Sequence, residues 1–214
     1  MPRLPLFPLD LVLFPGEPLP LHIFEPRYRE LLADCLAADQ RFGITASIPP
    51  VPGAIGSIAR IRASQPLDDG RSNIVVLGER RFALRALLDE GRSYLVGSVE
   101  EFDDQPGTAP LPQERAELMG LAEEYRKALG ILADSEDETD WAEPSEAFTF
   151  QVAALTGLDV EAKARLLATR STRERTQRLV DLLPPLIRLV RARAEVHVRA
   201  RTNGKGGHGH DIVH

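Results

Sequence analysis

A chain of 214 residues with net charge −6 and one cysteine is long enough to bury roughly 70% of its unfolded surface without covalent staples. One cysteine excludes an internal disulfide and suits a reducing, cytoplasmic setting. The apolar opening from Leu4 to Phe24 contains Asp10, Glu17, His22 and five prolines, which excludes a continuous membrane helix and the pattern of a secretory signal.

Two short apolar runs, Leu4 to Phe7 and Leu11 to Phe14, precede a Pro15-Gly16 turn, and a third, Leu19 to Phe24, follows it. At Glu25-Pro26 the period changes from strand to helix. Tyr28, Leu31, Leu32, Cys35 and Leu36 mark one helical face, which predicts a buried cysteine. Phe42 to Ile48 reads as a strand, Pro49 to Gly53 as a loop, and Ile55 to Ala63 as a half-buried strand with Arg60 and Arg62 outward. Gln65 to Ser72 reads as a hairpin loop. Ile74 to Leu77 is a short strand interrupted at Gly78-Glu79, Phe82 to Leu88 alternates, and Tyr94 to Phe102 supplies the last strand. This series predicts a small, mostly antiparallel pseudobarrel with one inserted helix at about residues 26–38, spanning residues 1–104.

Residues 105–112 read as a polar, proline-rich linker, and residues 113–201 as a helical bundle, which makes the class α+β. Leu118 to Leu132 gives the first stripe of that bundle, and the acidic run Asp134 to Asp140 predicts a mobile loop. Pro144 opens a helix ending at Gly157, Asp159 caps a short one, and Ser171 with Glu174 forms a capping box for the last. Pro184-Pro185 is expected to kink or break that last helix, and residues 202–214 to be a disordered tail. Lys+Arg against Asp+Glu runs 11 to 13 in residues 1–102, 3 to 15 in 103–162 and 12 to 4 in 163–214. The last two segments therefore attract each other if they pack side by side, and the basic one needs no nucleic acid to neutralise it.

Chemistry-bearing motifs are sparse. Gly204-Lys205-Gly206 lacks the rest of a phosphate loop, and neither G-x-S-x-G nor H-E-x-x-H is present. His208, His210 and His214 lie in a glycine-rich tail without metal-ligand spacing, and His22 reads as structural. The acidic pairs, Asp103-Asp104 among them, fall at turns and strand ends, where exposed carboxylates are ordinary. Arg60, Arg62, Arg80, Arg81 and Arg85 and the arginines between Arg165 and Arg201 are the basis for a nucleic-acid reading, but the strand arginines have only Phe82 and Tyr94 nearby and the overall charge is negative, so nucleic acid is disfavoured. No cofactor, metal or catalytic residue is implied, and no converging reactive groups are expected between barrel and bundle.

The ordered series of L-F-P-G at Leu13 to Gly16, I-F-E-P-R-Y at Ile23 to Tyr28, Gly78 to Phe82, Phe150 to Leu155 and Lys163 to Leu167 resembles the Lon N-terminal domain. The resemblance covers about residues 4–195 and implies a PUA-like pseudobarrel followed by helices. It also implies a role in recognising unfolded or tagged polypeptide, or a protease or chaperone partner, since neither the ATPase nor the peptidase of Lon is present. Phe24, Glu25, Arg27 and Glu30 are the expected protein-binding residues. An RNA-binding module of PUA-like type and a hydrolase without a recognisable signature are the alternatives.

Overall fold

A computed structural model describes residues 2–135, 139–143 and 145–204. The centre of the acidic run, Pro144 as a helix opener, and the tail with its three histidines lie outside the described residues. Six strands and five helices follow in the order β1 (Arg3–Pro8), β2 (Pro18–Ile23), α1 (Pro26–Ala37), β3 (Arg41–Thr45), β4 (Ile55–Pro66), β5 (Ser72–Leu88), β6 (Leu95–Phe102), α2 (Pro112–Ala133), α3 (Ser145–Leu155), α4 (Val160–Ala168) and α5 (Thr172–Gly204).

The strands are ordered β2-β5-β4-β3-β1-β6, and β5 pairs again with β6. Five strands thus close on themselves while β2 extends the sheet from β5. Every pairing is antiparallel except β1 with β3. Closure rests on β5, which the sequence reading divides at Gly78 but which runs 17 residues without a break. A Cβ at Gly78 would sit 2.1 Å from the Phe14 carbonyl oxygen. The glycine is there because the Pro15-Gly16 turn lies directly against it: Gly16 N–H donates to Gly78 O at 2.8 Å and Gly78 N–H to Glu17 O at 2.9 Å. The same residue that signals interruption in sequence is a close-approach site in an unbroken strand.

Leu4, Leu6, Ile58, Phe82, Leu84 and Val99 fill the barrel. A second apolar layer seals its outside against α1 through Tyr28, Leu31, Leu32 and Cys35, with Phe42, Ile44, Ile61 and Val76 on the strands. Cys35 is buried as expected, and burial together with the charges of Asp39 and Asp34 pushes its thiol up to about 12. A third layer joins α2, α3, α4 and α5 around Leu118, Tyr125, Phe148, Phe150, Leu179 and Leu183. The run Leu11 to Phe14 has no strand partner and serves as a connector: Leu13 belongs to the α1 layer, Val12 and Phe14 to the helical one.

Acidic α2 and basic α5 do lie together, with Arg173 on Glu114 at 3.0 Å and Arg191 on Glu124 at 2.7 Å. α5 passes through Pro184 and Pro185 and continues beyond Thr202 to Gly204. The two prolines cannot donate to the carbonyls of Val180 and Asp181, but Leu179, Leu183, Ile187 and Val190 anchor the helix on both sides of the gap in the helical core. Tertiary packing overrides the local penalty. The capping box is half formed, since Ser171 accepts from Glu174 N–H at 3.2 Å while the Glu174 carboxylate pairs with Arg178. Among the described residues no helix is long and apolar enough to cross a membrane. Pro185 is exposed, so Pro185→Ala restores a donor without changing the core. Chemical denaturation is expected to show a gain of up to about 3 kcal/mol, whereas a loss would mean that the packing requires the proline-shaped turn.

Candidate functional site

The corner from β2 into α1 carries the four residues expected to bind protein. Glu25 is the cap residue of α1, extended at φ −67° and ψ 135°, with Pro26 opening the helix behind it. Its carboxylate makes no cap bond and instead accepts from Arg27 Nε at 2.9 Å. The Arg27 guanidinium lies 4.5 Å from the centre of the Tyr28 ring, and Tyr28 packs on Phe7 with ring centroids 4.0 Å apart. A charged rim is thereby fixed to a buried aromatic base.

Glu25 and Arg27 border a cleft of about 400 Å³. Its walls come from β1 and its exit (Leu6 to Leu9), from Ile48 to Pro50, and from Ser93 to Leu95, with Tyr28 between them. Ile48 is 62% exposed at its mouth. The apolar run from Phe42 predicts a strand to Ile48, but β3 stops at Thr45 and leaves this isoleucine in a bend before Pro49. An apolar residue set within Ile48-Pro49-Pro50-Val51-Pro52 was the available signal, because such a loop can neither pair in a sheet nor bury its side chains easily.

Phe24 and Glu30 do not line this cleft. Phe24 is 59% exposed on the other side of the corner, stacked 6.1 Å from the His22 ring. Glu30 accepts from Ser93 Oγ at 2.6 Å, and Asp34 accepts from Tyr94 OH at 2.7 Å, so one face of α1 positions the Ser93 to Leu95 wall. Burial and the bond to Asp34 raise the Tyr94 phenol above its ordinary value and keep it protonated.

Polar side chains also converge between the strands and the helices, contrary to the sequence expectation. Arg81 on β5 and Arg175 on α5 are 1% and 0% exposed, and both grip Asp104, which follows β6. Arg175 holds the carboxylate by two bonds of 2.6 and 3.1 Å, and Thr172 Oγ1 donates to it as well. Other donors of the two guanidiniums reach carbonyl and hydroxyl oxygens. Arg81 Nη1 donates to Leu167 O and Thr169 O, while Arg175 donates to Thr169 O and Thr149 Oγ1. The Arg175 guanidinium lies 3.9 Å from the centre of the Phe150 ring. Asp104, which the sequence places among exposed acids at turns and strand ends, is buried because both cations reach it. Its desolvation raises its pKa, but the bonds from Arg175 and Thr172 and the charges of Arg175 and Arg81 outweigh that and hold it below 3.8. A carboxylate so held is ionised and accepts bonds on both oxygens, so the arrangement is that of a clamp.

Of the other strand arginines, Arg60 is engaged by Glu79, Arg80 by Glu101 and Asp103, and Arg85 by Glu100, while Arg62 is exposed without an ion pair among the described residues. Among the described residues no group of three or more His, Cys, Asp or Glu could hold a metal ion.

A five-stranded barrel with an outer helix, clamped to a helical layer, defines an α+β architecture of barrel and helices. The model of the ATP-dependent protease La (LON) substrate-binding domain matches residues 3–184, and the chain belongs to that family. It is 22% identical over 213 aligned positions to the Lon protease of Cytophaga hutchinsonii and 23% over 212 to that of Parabacteroides distasonis. The alignments cover 94% and 92% of this chain but only 26% and 25% of those proteins, so the chain spans about a quarter of the length of these relatives. Among solved structures, the Lon N-terminal domain protein from Xanthomonas campestris superposes with a TM-score of 0.67 at 27% identity, over 86% of this chain and 100% of that one. The N-terminal domain of Mycobacterium avium complex Lon protease, at 21% identity, shares the fold with a TM-score of 0.61 over 84% of this chain and 97% of its own.

Asp104→Asn leaves two buried guanidiniums without their counter-ion and is expected to cost about 3–5 kcal/mol in denaturant melts. Because the folded pKa of Asp104 is depressed, its contribution is complete above the unfolded value and is lost as pH falls below about 3.8 through the folded value. Glu146, 3.6 Å from Arg81, is shifted upward by burial and by the charge of Asp104, so protonating it on acidification relieves strain and partly offsets that loss. A melt series from neutral to acid pH is expected to fall more steeply for the parent chain than for the Asn variant at its acid end.

Proposed function

We propose that this chain is a binding module for polypeptide, with the Glu25–Arg27 cleft as its contact site and no reaction of its own. Membership of a substrate-binding family supports the class of ligand. The observation that carries the site is the exposed Ile48 at the mouth of a preformed cleft whose floor is Leu6, Phe7, Tyr28 and Tyr94 and whose rim is the Glu25–Arg27 pair. Such a cleft fits an aliphatic or aromatic side chain of an unfolded segment, with the charged pair at its edge to satisfy neighbouring polar groups. Phe24 adds an apolar contact beyond the corner, and Glu30 acts by positioning the Ser93 wall.

Non-catalytic character is supported by the state of the candidate reactive groups. Cys35 is buried with a thiol that stays protonated, and Asp104 is ionised and fully engaged. A cytoplasmic location accords with the reduced cysteine. The RNA alternative has less support, because four of the five strand arginines that suggested it, Arg60, Arg80, Arg81 and Arg85, are held by carboxylates.

Ile48→Asp tests the reading. Binding of a reduced, carboxymethylated model protein, followed by fluorescence anisotropy, is expected to weaken about tenfold, the scale of one buried apolar contact. The melting temperature is expected to hold, since Ile48 is already exposed. Unchanged binding by a folded Asp variant would remove the cleft from the proposal.

A further inference from the structure

The two sides of α5 differ in how their charges are met. Towards α2, Val190 and Ala194 are buried, and Arg191 and Arg201 pair with Glu124 and Asp134. Elsewhere on the same turns Leu189 and Val196 are 48% and 65% exposed, seven residues apart and therefore on one face. Arg193 stands between them, one turn from each, and Arg188 borders the stripe. Both are exposed and without an acidic partner among the described residues. Arg199, on the same side as Arg188, has only a 3.7 Å contact with Glu195.

We propose that this outer face of α5 docks an acidic amphipathic helix of a partner protein, separately from the polypeptide cleft. The apolar pair offers the seven-residue seam on which a second helix packs, and the unmet arginines select carboxylates along its flanks. A second copy of this chain fits poorly, because bringing two such seams together places one Arg193 against the other. A phosphate backbone fits poorly too, since it gains nothing from covering Leu189 and Val196.

The probes are two synthetic helices of about three heptads with the same leucine stripe, one flanked by glutamate and the other by lysine, labelled for fluorescence anisotropy. The full chain is expected to bind the glutamate helix at least about tenfold more tightly than its lysine twin, with the preference shrinking as salt rises. The double change Arg188→Glu with Arg193→Glu is expected to reverse the preference, and Leu189→Asp to weaken binding of the glutamate helix. Ile48→Asp leaves this binding unchanged while impairing the cleft. Because all the altered residues are exposed, thermal melts of each variant serve as the folding control. Equal affinity for the two helices, or none for either, overturns the proposal. So does self-association in sedimentation velocity that Leu189→Asp abolishes, which assigns the face to a second copy. Single-stranded RNA bound through the arginines but indifferent to Leu189→Asp assigns it to nucleic acid.

Discussion

The grip of Arg81 and Arg175 on Asp104 is the constraint that turns a barrel and a set of helices into one body. Its three members come from β5, from the segment after β6 and from α5, and the aromatic ring beneath Arg175 comes from α3. Taking these charges out of water is costly, and a well-packed apolar substitute can be as stable. What the ions add is direction. A carboxylate bonded to two guanidiniums at fixed angles allows one arrangement of the three segments, while an apolar contact tolerates several. The excess positive charge is spread over the Leu167 and Thr169 carbonyls at the end of α4, the end of a helix that carries partial negative charge.

A second join reinforces the first. The Leu11 to Phe14 run gives its side chains alternately to two cores, and Ser57 Oγ donates to the Leu13 carbonyl at 2.6 Å. That hydrogen bond, the bond from Phe14 N–H to the Glu17 carboxylate and the close approach at Gly78 tie an irregular, buried segment to the sheet. The cleft, by contrast, is built wholly from β1, α1, the Ile48 to Pro50 bend and the Ser93 to Leu95 segment. The helical layer reaches it only through the rigidity it lends to the barrel.

What was legible in the sequence followed from local rules. The change of period at Glu25-Pro26, the burial of Cys35 and the cap at Asp159 each depend on neighbours within a few residues, and each is found in place. The unbroken β5, the continuous α5 and the clamp were not legible because their causes are distant. Gly78 owes its place to Phe14, 64 positions earlier in the chain, and Pro184-Pro185 are held helical by residues of α2 and α3. Asp104 lies 23 residues from one of its arginines and 71 from the other, so nothing beside it distinguishes it from its exposed neighbour Asp103. At the cleft, Glu25 and Arg27 could be singled out from a motif, whereas Ile48 and Tyr94 join them only through the fold.

Charge segregation along the chain has a structural consequence beyond neutralisation. The acidic middle segment meets the basic last one along a single line, because two helices touch on one face each. Glu114, Glu124 and Asp134 occupy that line, and arginines of α5 come to them. A helix that carries arginine all round meets part of that charge on the side turned to its neighbour and a little more with its own acids, as Arg178 does with Glu174. Its remaining side keeps the positive charge, and in a protein with net charge −6 that residue of basic surface is local, directional and set beside exposed leucine and valine. An excess that composition assigns to a segment is thus resolved by packing into one quiet face and one unmet face.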